Sequence, residues 1–308
     1  MRLRIGLLAV VLTLICSITS FADNAYEPVT DQYDNLGVVQ CPKYCNIRQQ
    51  PSSSSKVVGL VQNNGAVEIL STGDKWYAVR SGGVSGYIMK DYVSTDMQLA
   101  NSLSTKRVYV LSPTTVYSSK NTTSKVWEKP TAGRTYTVMA DDGNWVQIDL
   151  DGGTGYIQVN DCIKLCYGLD TANPTYDVSS YSSVRQNIVT YAMQFLGNAY
   201  VWGGNDPHTG ADCSGFVKYV YKHVADITLP RVSYEQCYSG SKISSLEMKP
   251  GDLIFYANVE GTVNHVAMYI GNGTIIHAAS RNSGIKLSEW NYRTPKYIRK
   301  VLNDEAVN

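Results

Sequence analysis

The middle of the chain alternates apolar and polar residues in short runs, separated by turn sequences such as Asn-Asn-Gly and Asp-Asp-Gly-Asn. Alternation with a period of two, interrupted by glycine-containing turns, is typical of short β-strands. The pattern around Trp76 recurs around Trp145, 69 residues further on, and a Gly-Tyr-Ile motif follows each at the same offset. The repeat therefore predicts two small, twisted β-barrels, over residues 36–98 and 104–166.

The periodicity changes towards the C-terminus. Residues 167–183 are rich in Ser, Asp, Asn and Tyr, which predicts a linker before a third domain over residues 184–308. Apolar residues at helical spacing then predict a helix that runs from Ser183 to Leu196 and ends at Gly197.

Cys213 stands at the start of a second helical pattern, in an Asp-Cys-Ser-Gly sequence that precedes Phe216 and Val217. Asp212 is a typical N-cap residue, and it puts the thiol in the first turn. Because a helix N-terminus stabilises a thiolate, this position predicts a lowered pKa for the cysteine. A cysteine in an apolar helix is otherwise an inert core thiol, but the polar neighbours favour a nucleophile.

Residues 264–278 predict two strands joined by a three-residue hairpin loop at 271–273. In that register His277 lies opposite Ala267, on the strand face that His265 shares. The two imidazoles are then diagonal neighbours, roughly 5–8 Å apart at Cβ. One can accept the thiol proton while the other orients it, and cysteine before histidine is the chain order of papain-like nucleophiles.

Other interpretations of these residues remain open. Each histidine could instead be a satisfied core residue, and Cys213, His265 and His277 could together bind Zn²⁺, although no Cys-x-x-Cys pair accompanies them. The remaining histidines fit a catalytic role less well, since His208 lies in a turn sequence and His223 lies over two helical turns beyond the cysteine.

Six motifs in a fixed order carry a family resemblance: Tyr-Val-Trp-Gly-Gly at 200–204, Asp-Cys-Ser-Gly-Phe-Val at 212–217, Leu-Pro-Arg-Val-Ser at 229–233, Pro-Gly-Asp-Leu-Ile-Phe at 250–255, His-Val-Ala-Met-Tyr-Ile-Gly at 265–271 and Ile-His-Ala at 276–278. They resemble the NlpC family of cell-wall cysteine endopeptidases, which have a papain-like fold. The resemblance implies Cys213 as nucleophile, His265 as base and His277 as the orienting residue. It also implies a set of substrate-binding positions: Tyr200, Asp212, Ser214, Arg231 and Ser233. Trp202 and Trp290 are expected to pack in the core.

The repeat carries a second resemblance. Asn-Ile-Arg at 46–48, followed by the Trp-Tyr-Ala-Val and Gly-Tyr-Ile motifs, resembles bacterial SH3 domains, which accompany NlpC domains and bind cell-wall material. The second unit has Thr115-Val116-Tyr117 in place of Asn-Ile-Arg. Trp76 and Trp145 are expected to close the barrels as core residues.

The predicted fold is therefore an α+β papain-like catalytic domain, with its cysteine-bearing helix packed on an antiparallel sheet, preceded by two small all-β SH3-like barrels. We expect at least one barrel to pack near Cys213 and to narrow access to the groove, as an SH3 unit does in the enzymes that the sequence resembles.

The N-terminus predicts the compartment. Two arginines precede an apolar run from Ile5 to Cys16, and small residues at Ser20 and Ala22 permit cleavage after Ala22. Residues 1–22 are thus a predicted secretory signal, too short for a comfortable membrane span. The chain has 27 basic and 26 acidic residues, and without these two arginines 25 basic residues nearly balance the 26 acidic ones. The secreted chain therefore offers no basic field for nucleic acid and no membrane attachment.

Secretion permits disulfides. Cys213 must stay reduced for catalysis, which leaves Cys237 without an obvious partner. Four further cysteines lie near the start and end of the repeat region and could form two bridges, in any of three connectivities: Cys41, Cys45, Cys162 and Cys166.

The predicted reaction is amide hydrolysis through a Cys213 thioester. The thiolate attacks the carbonyl, backbone N–H groups at the helix start stabilise the oxyanion, and a histidinium protonates the leaving amine. This mechanism requires no metal or cofactor. By resemblance, the substrate is a peptidoglycan stem peptide or muropeptide, cut between D-glutamate and the following diamino acid. A muramoyl-L-alanine amidase, a Cys/His acyltransferase and a non-catalytic wall-binding protein are the alternatives.

Overall fold

The computed structural model describes residues 26–151, 153–175 and 178–303. The predicted signal, residues 1–22, lies outside the described residues. Most of the regular structure is β-strand, in two multistranded sheets followed by a domain of helices and a third sheet. None of the helices in the described ranges is long and apolar enough to cross a membrane.

The first repeat folds as an antiparallel sheet. Its strands are β1 (Leu36–Val39), β2 (Tyr44–Arg48), β3 (Val57–Gln62), β4 (Ala66–Thr72), β5 (Trp76–Ser81), β6 (Val84–Met89) and β7 (Val93–Ser94). In space they follow the order β3-β2-β6-β5-β4-β1-β7. Apolar side chains at alternate strand positions fill the core, among them the buried Ile47, Val79 and Ile88. Helix α1 (Met97–Leu103) then leads to the second repeat.

The second repeat has the topology of the first. Its strands are β8 (Thr105–Val110), β9 (Val116–Tyr117), β10 (Val126–Glu128), β11 (Thr135–Asp141), β12 (Trp145–Asp149), β13 (Thr154–Gln158) and β14 (Ile163–Gly168). Their spatial order is β10-β9-β13-β12-β11-β8-β14. Adding seven to each strand number of the first repeat gives the order of the second. The two repeats therefore share one strand order.

The two repeat tryptophans do not fill the cores, and that prediction is wrong. Along β12, Val146 and Ile148 are fully buried while Trp145 is half-buried. Trp76 is likewise half-buried, whereas Val79 on the same strand is buried. Since side chains alternate between the two faces of a strand, each tryptophan lies on the face opposite to its buried neighbours. Trp76 lines an open groove of about 440 Å³ together with Tyr87.

The predicted linker, residues 167–183, is only in part a free connection. The end of β14 extends to Gly168, and β15 (Asn173–Pro174) adds to the edge of the first sheet beside β3. Between them the Asp170 carbonyl accepts the Ala66 N–H at 2.7 Å, and the Ala172 N–H donates to the Ser81 hydroxyl at 2.8 Å. Backbone groups that a linker would leave to water are thus paired with the first repeat.

The third domain combines helices with one large sheet. Its helices are α2 (Ser183–Met193), α3 (Cys213–Ala225) and α4 (Ser233–Gln236). Its strands are β16 (Asn205–Asp206), β17 (Gly210–Ala211), β18 (Ser241–Lys242), β19 (Leu253–Ala257), β20 (Val263–Gly271), β21 (Thr274–Ser280), β22 (Gly284–Glu289) and β23 (Pro295–Lys300). Six of them form an antiparallel sheet in the order β18-β23-β19-β20-β21-β22. Helix α2 ends at Met193, three residues before the predicted end at Leu196, and tighter turns continue the chain to Gly197, which has a φ of +84°.

Helix α3 lies against this sheet because its apolar residues recur at helical spacing. Phe216, Val217 and Val220 are fully buried in one cluster with Val266 and Met268 of β20. Burial of each such side chain stabilises the packing by about 1.5–3 kcal/mol. The predicted α+β arrangement, a cysteine-bearing helix on an antiparallel sheet, is the one observed.

Both repeats contact the third domain. Leu60 of the first repeat joins the buried cluster that surrounds α2 and α3, and Lys43 Nζ donates to the Gln194 carbonyl at 2.8 Å. From the second repeat, Asp151 forms an ion pair of 3.1 Å with Lys286 on β22. The chain is therefore not a string of separate modules.

Candidate active site

Cys213 is the first residue of α3 and is 8% exposed. Asp212 caps the helix, because its Oδ1 accepts the Gly215 N–H at 2.8 Å. The backbone N–H groups of Ser214 and, from β20, of Val266 lie near the sulfur and favour its thiolate form, which lowers the pKa of the thiol. The predicted N-cap and helix start are confirmed, and the thiol lies against the strand that carries His265.

The predicted lowering of the Cys213 pKa is wrong. Burial, and then the Asp212 carboxylate beside it, raise the pKa of the thiol to about 11, and the two N–H groups and Arg231 offset only part of this rise. A thiolate in this enclosed position loses its hydration, and the helix terminus does not replace it fully. The thiol is therefore protonated near neutral pH, and it needs a base at the moment of attack.

The register of β20 and β21 brings the two predicted histidines together. Met268 lies opposite Ile276, which is the register that places His277 opposite Ala267. His265 Nε2 and His277 Nδ1 are 2.8 Å apart, and both residues are almost completely buried. The predicted same-face geometry is confirmed.

The hairpin between these strands is shorter than expected. Gly271 pairs with Thr274, so the loop has two residues, Asn272 and Gly273, with φ of +49° and +72°. Two positive φ angles on Asn-Gly are typical of a tight hairpin turn. An irregularity in register between Tyr269 and Gly271 absorbs the remaining residue, and this is why the shorter loop leaves the histidine register unchanged.

Strand β22 supplies a polar partner that sequence reasoning missed. His277 Nε2 lies 3.0 Å from the Ser288 hydroxyl. Because Nε2 of His265 is engaged with His277, Nδ1 is the nitrogen left to accept the thiol proton. In that state His265 Nε2–H donates to His277 Nδ1, and His277 Nε2–H donates to Ser288. The alternating stretch Ile-Lys-Leu-Ser-Glu at 285–289 was the available signal for this strand.

Both imidazoles are neutral in this environment. Burial, then His277 and Arg293, lower the pKa of His265 well below its ordinary value. Burial, then Lys286 and Arg293, lower the pKa of His277 in the same direction. A neutral His265 can accept a proton, and a neutral His277 can accept the hydrogen bond that orients it.

Arg231 closes a polar cluster beside the thiol. Its Nη2 and Nη1 lie 2.7 and 3.0 Å from the two carboxylate oxygens of Asp212, and Nη1 donates to the Ser214 hydroxyl at 2.9 Å. Asp212 also accepts the Gly203 N–H at 3.0 Å. Burial would raise the pKa of Asp212, but Arg231 and the amides of Gly215 and Gly203 lower it overall. The contacts of this carboxylate show its role as the helix cap, and its contact with a substrate ammonium group stays a prediction.

Two further predicted substrate positions adjoin this cluster. Tyr200 pairs with Ala211 in an isolated β-bridge. Burial, and then the neighbouring Cys213, raise the pKa of Tyr200 to about 12, so its hydroxyl is a donor near neutral pH. Ser233 begins α4 and is 7% exposed, and Gln236 of that helix donates to the Ser214 carbonyl at 3.0 Å. That these residues contact substrate stays a prediction.

Trp202 is 76% exposed, so the prediction that it packs in the core is wrong. At the neighbouring Gly204 a Cβ would lie only 2.2 Å from the Gly210 carbonyl. The glycine backbone therefore occupies the interior of this loop, and the indole remains at the surface. Trp290 is partly buried against the cluster that contains Tyr256, as expected.

The other two histidines lie on the surface. His208 Nδ1 is 2.9 Å from Asp206 Oδ1, and the ring of exposed His223 stacks on Tyr219 with centroids 3.9 Å apart. Within residues 26–303, leaving aside the undescribed positions, no three His, Cys, Asp or Glu side chains are grouped to hold a metal ion.

The six cysteines in the described part of the chain carry free thiols. Those of Cys41 and Cys45 are in side-chain hydrogen-bonding contact. Among the three connectivities open to the repeat cysteines, this proximity favours the one that joins these two.

Two regions of the chain match known protein families. Residues 197–302 match the model of the NlpC/P60 family. The chain contains an NlpC/P60 domain. Cys213, His265 and His277 all lie within it. Residues 43–94 match a second family model, the bacterial SH3 domain, which falls on the first repeat.

The NlpC/P60 domain is similar to parts of several bacterial proteins. Over 99 residues it is 46% identical to the probable endopeptidase p60 of Listeria monocytogenes, a match that covers 32% of this chain and 19% of that protein. Over 108 residues it is 39% identical to the gamma-DL-glutamyl hydrolase of Bacillus subtilis, covering 35% of this chain and 25% of that protein. The chain thus spans a quarter or less of the length of these curated relatives.

Among solved structures, NlpC2 from Trichomonas vaginalis is similar over 87% of this chain and 97% of that chain, with 21% identity and a TM-score of 0.36.

Proposed function

We propose that the chain is a secreted cysteine endopeptidase that hydrolyses peptidoglycan stem peptides. The observation that carries this proposal is the 2.8 Å hydrogen bond between His265 Nε2 and His277 Nδ1, on the strand pair beside a thiol in the first turn of a helix. A neutral, oriented base on the strand that lies against a protonated thiol is what nucleophilic acyl transfer requires. The predicted signal at residues 1–22 supports secretion.

In this reaction Cys213 attacks the amide carbonyl while His265 Nδ1 takes the thiol proton. The two events are coupled, because the buried thiol does not ionise by itself near neutral pH. The histidinium then protonates the leaving amine, the C–N bond breaks, and the acyl group remains on sulfur as a thioester. Water, deprotonated by the neutral His265, releases the acid and restores the thiol.

The oxyanion that forms during attack requires donors that are already in place. We assign this role to the hydroxyl of Tyr200, which its raised pKa keeps protonated, and to backbone N–H groups at the start of α3. The ion pair of Arg231 with Asp212, at 2.7 Å, holds that first turn in position.

The name of the gamma-DL-glutamyl hydrolase relative supports cleavage after D-glutamate, through its γ-carboxyl. Arg231, whose side chain is 31% exposed, and the exposed Trp202 are the groups at the rim that such a peptide would meet first. We further propose that the third domain is papain-like, that the second repeat is a second SH3-like domain, and that the packed repeats narrow the groove.

Digestion of defined soluble muropeptides with the full chain, followed by mass spectrometry, tests this function. We expect cleavage between D-glutamate and the diamino acid, and no product with Cys213→Ala. Cleavage between muramic acid and L-alanine would identify an amidase, and product formed only with an added amine acceptor would identify an acyltransferase. Wall binding without any product would identify a non-catalytic binder, and each of these three outcomes contradicts the proposal.

A further inference from the structure

The second repeat meets the third domain directly beside the histidine pair. Asp151, in the turn between β12 and β13, is 8% exposed, and its Oδ1 lies 3.1 Å from Lys286 Nζ. Lys286 is the cross-strand neighbour of His277 in the ladder of β21 and β22, so the two side chains lie on one face of the sheet. A carboxylate from one domain therefore reaches the surroundings of the catalytic pair in another.

A second cation lies at the same interface. Arg293 is 4% exposed and donates to Asn264 Oδ1 at 3.0 Å. Asn264 directly precedes His265 in the chain. Its guanidinium carbon lies 5.5 Å from the ring centroid of Trp127 in the second repeat. Its other terminal nitrogen contacts the Asp151 backbone carbonyl at 3.4 Å. The repeat thus encloses Arg293 as well as Lys286.

These two cations oppose a positive charge on the histidines. Lys286 and Arg293 both act to lower the pKa of His265, after burial and His277, whereas Asp151 acts to raise it. The charges that act on the Cys213 thiol are those of Asp212 and Arg231. Asp151 therefore acts on the base, and it is not among the main influences on the thiol.

Two more acids face Lys286, but each carboxylate has a partner of its own. Asp149 Oδ1 accepts the Asp151 N–H at 2.8 Å, and Asp170 pairs with Arg107 at 2.9 Å. Asp151 is thus the carboxylate in direct contact with the lysine beside the histidine pair.

We propose that Asp151 is a positioning residue for the reaction, whose carboxylate balances the charges of Lys286 and Arg293 when His265 takes the proton of Cys213. The second repeat then belongs to the catalytic apparatus. The reason is electrostatic, since an imidazolium that forms in a buried site next to two cations is repelled unless an anion offsets them. This inference rests on the cysteine chemistry proposed above.

Asp151→Asn tests it in the full-length chain. The substitution keeps the side-chain shape, suits the φ of +48° at this position, and leaves the backbone carbonyl that Arg293 contacts. Asp142→Asn is the matched control, because it removes the same charge from an exposed site of the same repeat, where Asp142 pairs with Lys120 at 2.6 Å.

The primary measurement is the rate at which iodoacetamide alkylates Cys213 at pH 7, which requires no peptide substrate. We expect Asp151→Asn to slow alkylation about tenfold, the factor that one pKa unit represents, and Asp142→Asn to leave it unchanged. On a soluble muropeptide, kcat should fall by a similar factor while KM stays the same, as expected for a group that acts on the base alone.

A second variant separates charge from folding. In Asp151→Asn/Lys286→Gln the unbalanced lysine is also gone, so alkylation should recover by about threefold or more over Asp151→Asn. Equal rates for Asp151→Asn and Asp142→Asn, or a double variant slower than Asp151→Asn, overturn the inference. If the variants show the expected differences in alkylation rate but the wild-type chain cuts no muropeptide, the proposed function is refuted and this inference stands.

Discussion

Replacement of His277 tests the hydrogen-bonded chain that runs from His265 through His277 to Ser288. The two distances in this chain are 2.8 and 3.0 Å. His277→Ala leaves the Nε2–H of the base buried without an acceptor, at a cost of about 1–3 kcal/mol. It also frees His265 to adopt the other tautomer, in which Nδ1 carries the proton and cannot take one from the thiol.

The expected loss in kcat follows from the stage of the reaction at which the hydrogen bond between His265 and His277 is strongest. It is strongest when His265 is protonated, and hydrogen bonds to charged groups contribute about 1.5–3 kcal/mol. Loss of that amount from the transition state lowers kcat by about ten- to 150-fold. His277→Asn retains an amide oxygen as acceptor and should lose less than about tenfold. His265→Ala removes the base itself and should cost about 10²- to 10⁴-fold.

Steady-state kinetics on a soluble muropeptide at pH 7 measure these effects, with a melting curve for each variant. His223→Ala is the control, since this imidazole is exposed and stacks on Tyr219 away from the thiol. A fall in kcat with unchanged KM is expected for His277→Ala. The orienting role is refuted if that variant is as active as His223→Ala, or if His277→Asn is no better than His277→Ala.

Four further outcomes are expected. Cys213→Ala should abolish hydrolysis at an unchanged melting temperature, and in His265→Ala the labelling of Cys213 by iodoacetamide should slow, since the thiol ionises through its base; equal labelling contradicts the pairing. Stability should fall as the pH drops below about 6.5, because His265 and His277 stay neutral when folded but take up protons when unfolded. The free energy of unfolding should fall by up to about 2.7 kcal/mol per pH unit when both histidines contribute. The same slope in a His277→Gln variant would falsify the assignment of this pH dependence to the histidine pair. EDTA should leave activity unchanged, and a loss that Zn²⁺ restores revives the metal-site alternative.

The parts of the site that could be predicted from sequence depend on local rules. Asp212 as N-cap follows from residue type and position alone, and the pairing of His265 with His277 follows from strand alternation and an Asn-Gly turn. The wrong loop length did not affect the predicted pairing of the histidines, because the strand register is fixed by which strand faces are buried. The shared strand order of the two repeats likewise reflects a pattern visible in the chain.

The parts that failed depend on contacts between distant segments. Trp145 and Trp202 are large and apolar, but their exposure depends on which face or loop interior other residues occupy first. The pKa of Cys213 depends on how tightly β20 covers the thiol, which its helical position does not reveal. Ser288 and Asp151 were missed for the same reason. Ser288 lies on a strand that was not predicted. Asp151 pairs with Lys286, the cross-strand neighbour of His277, but stands 126 positions before His277 in the chain.

Burial has a consequence for how the thiol is controlled. Moving the proton from Cys213 to His265 creates two opposite charges in a site that has lost most of its water, so the neutral pair is favoured at rest. Each charge nevertheless has a group that favours it: the Val266 N–H from β20 favours the thiolate, and the Asp151 carboxylate, paired with Lys286, favours the imidazolium. Because these two groups belong to different domains, the proposed role of Asp151 makes the ionisation of the base depend on how the second repeat packs. The interface between the domains is thus the place where the reactivity of the thiol can be adjusted without touching the nucleophile.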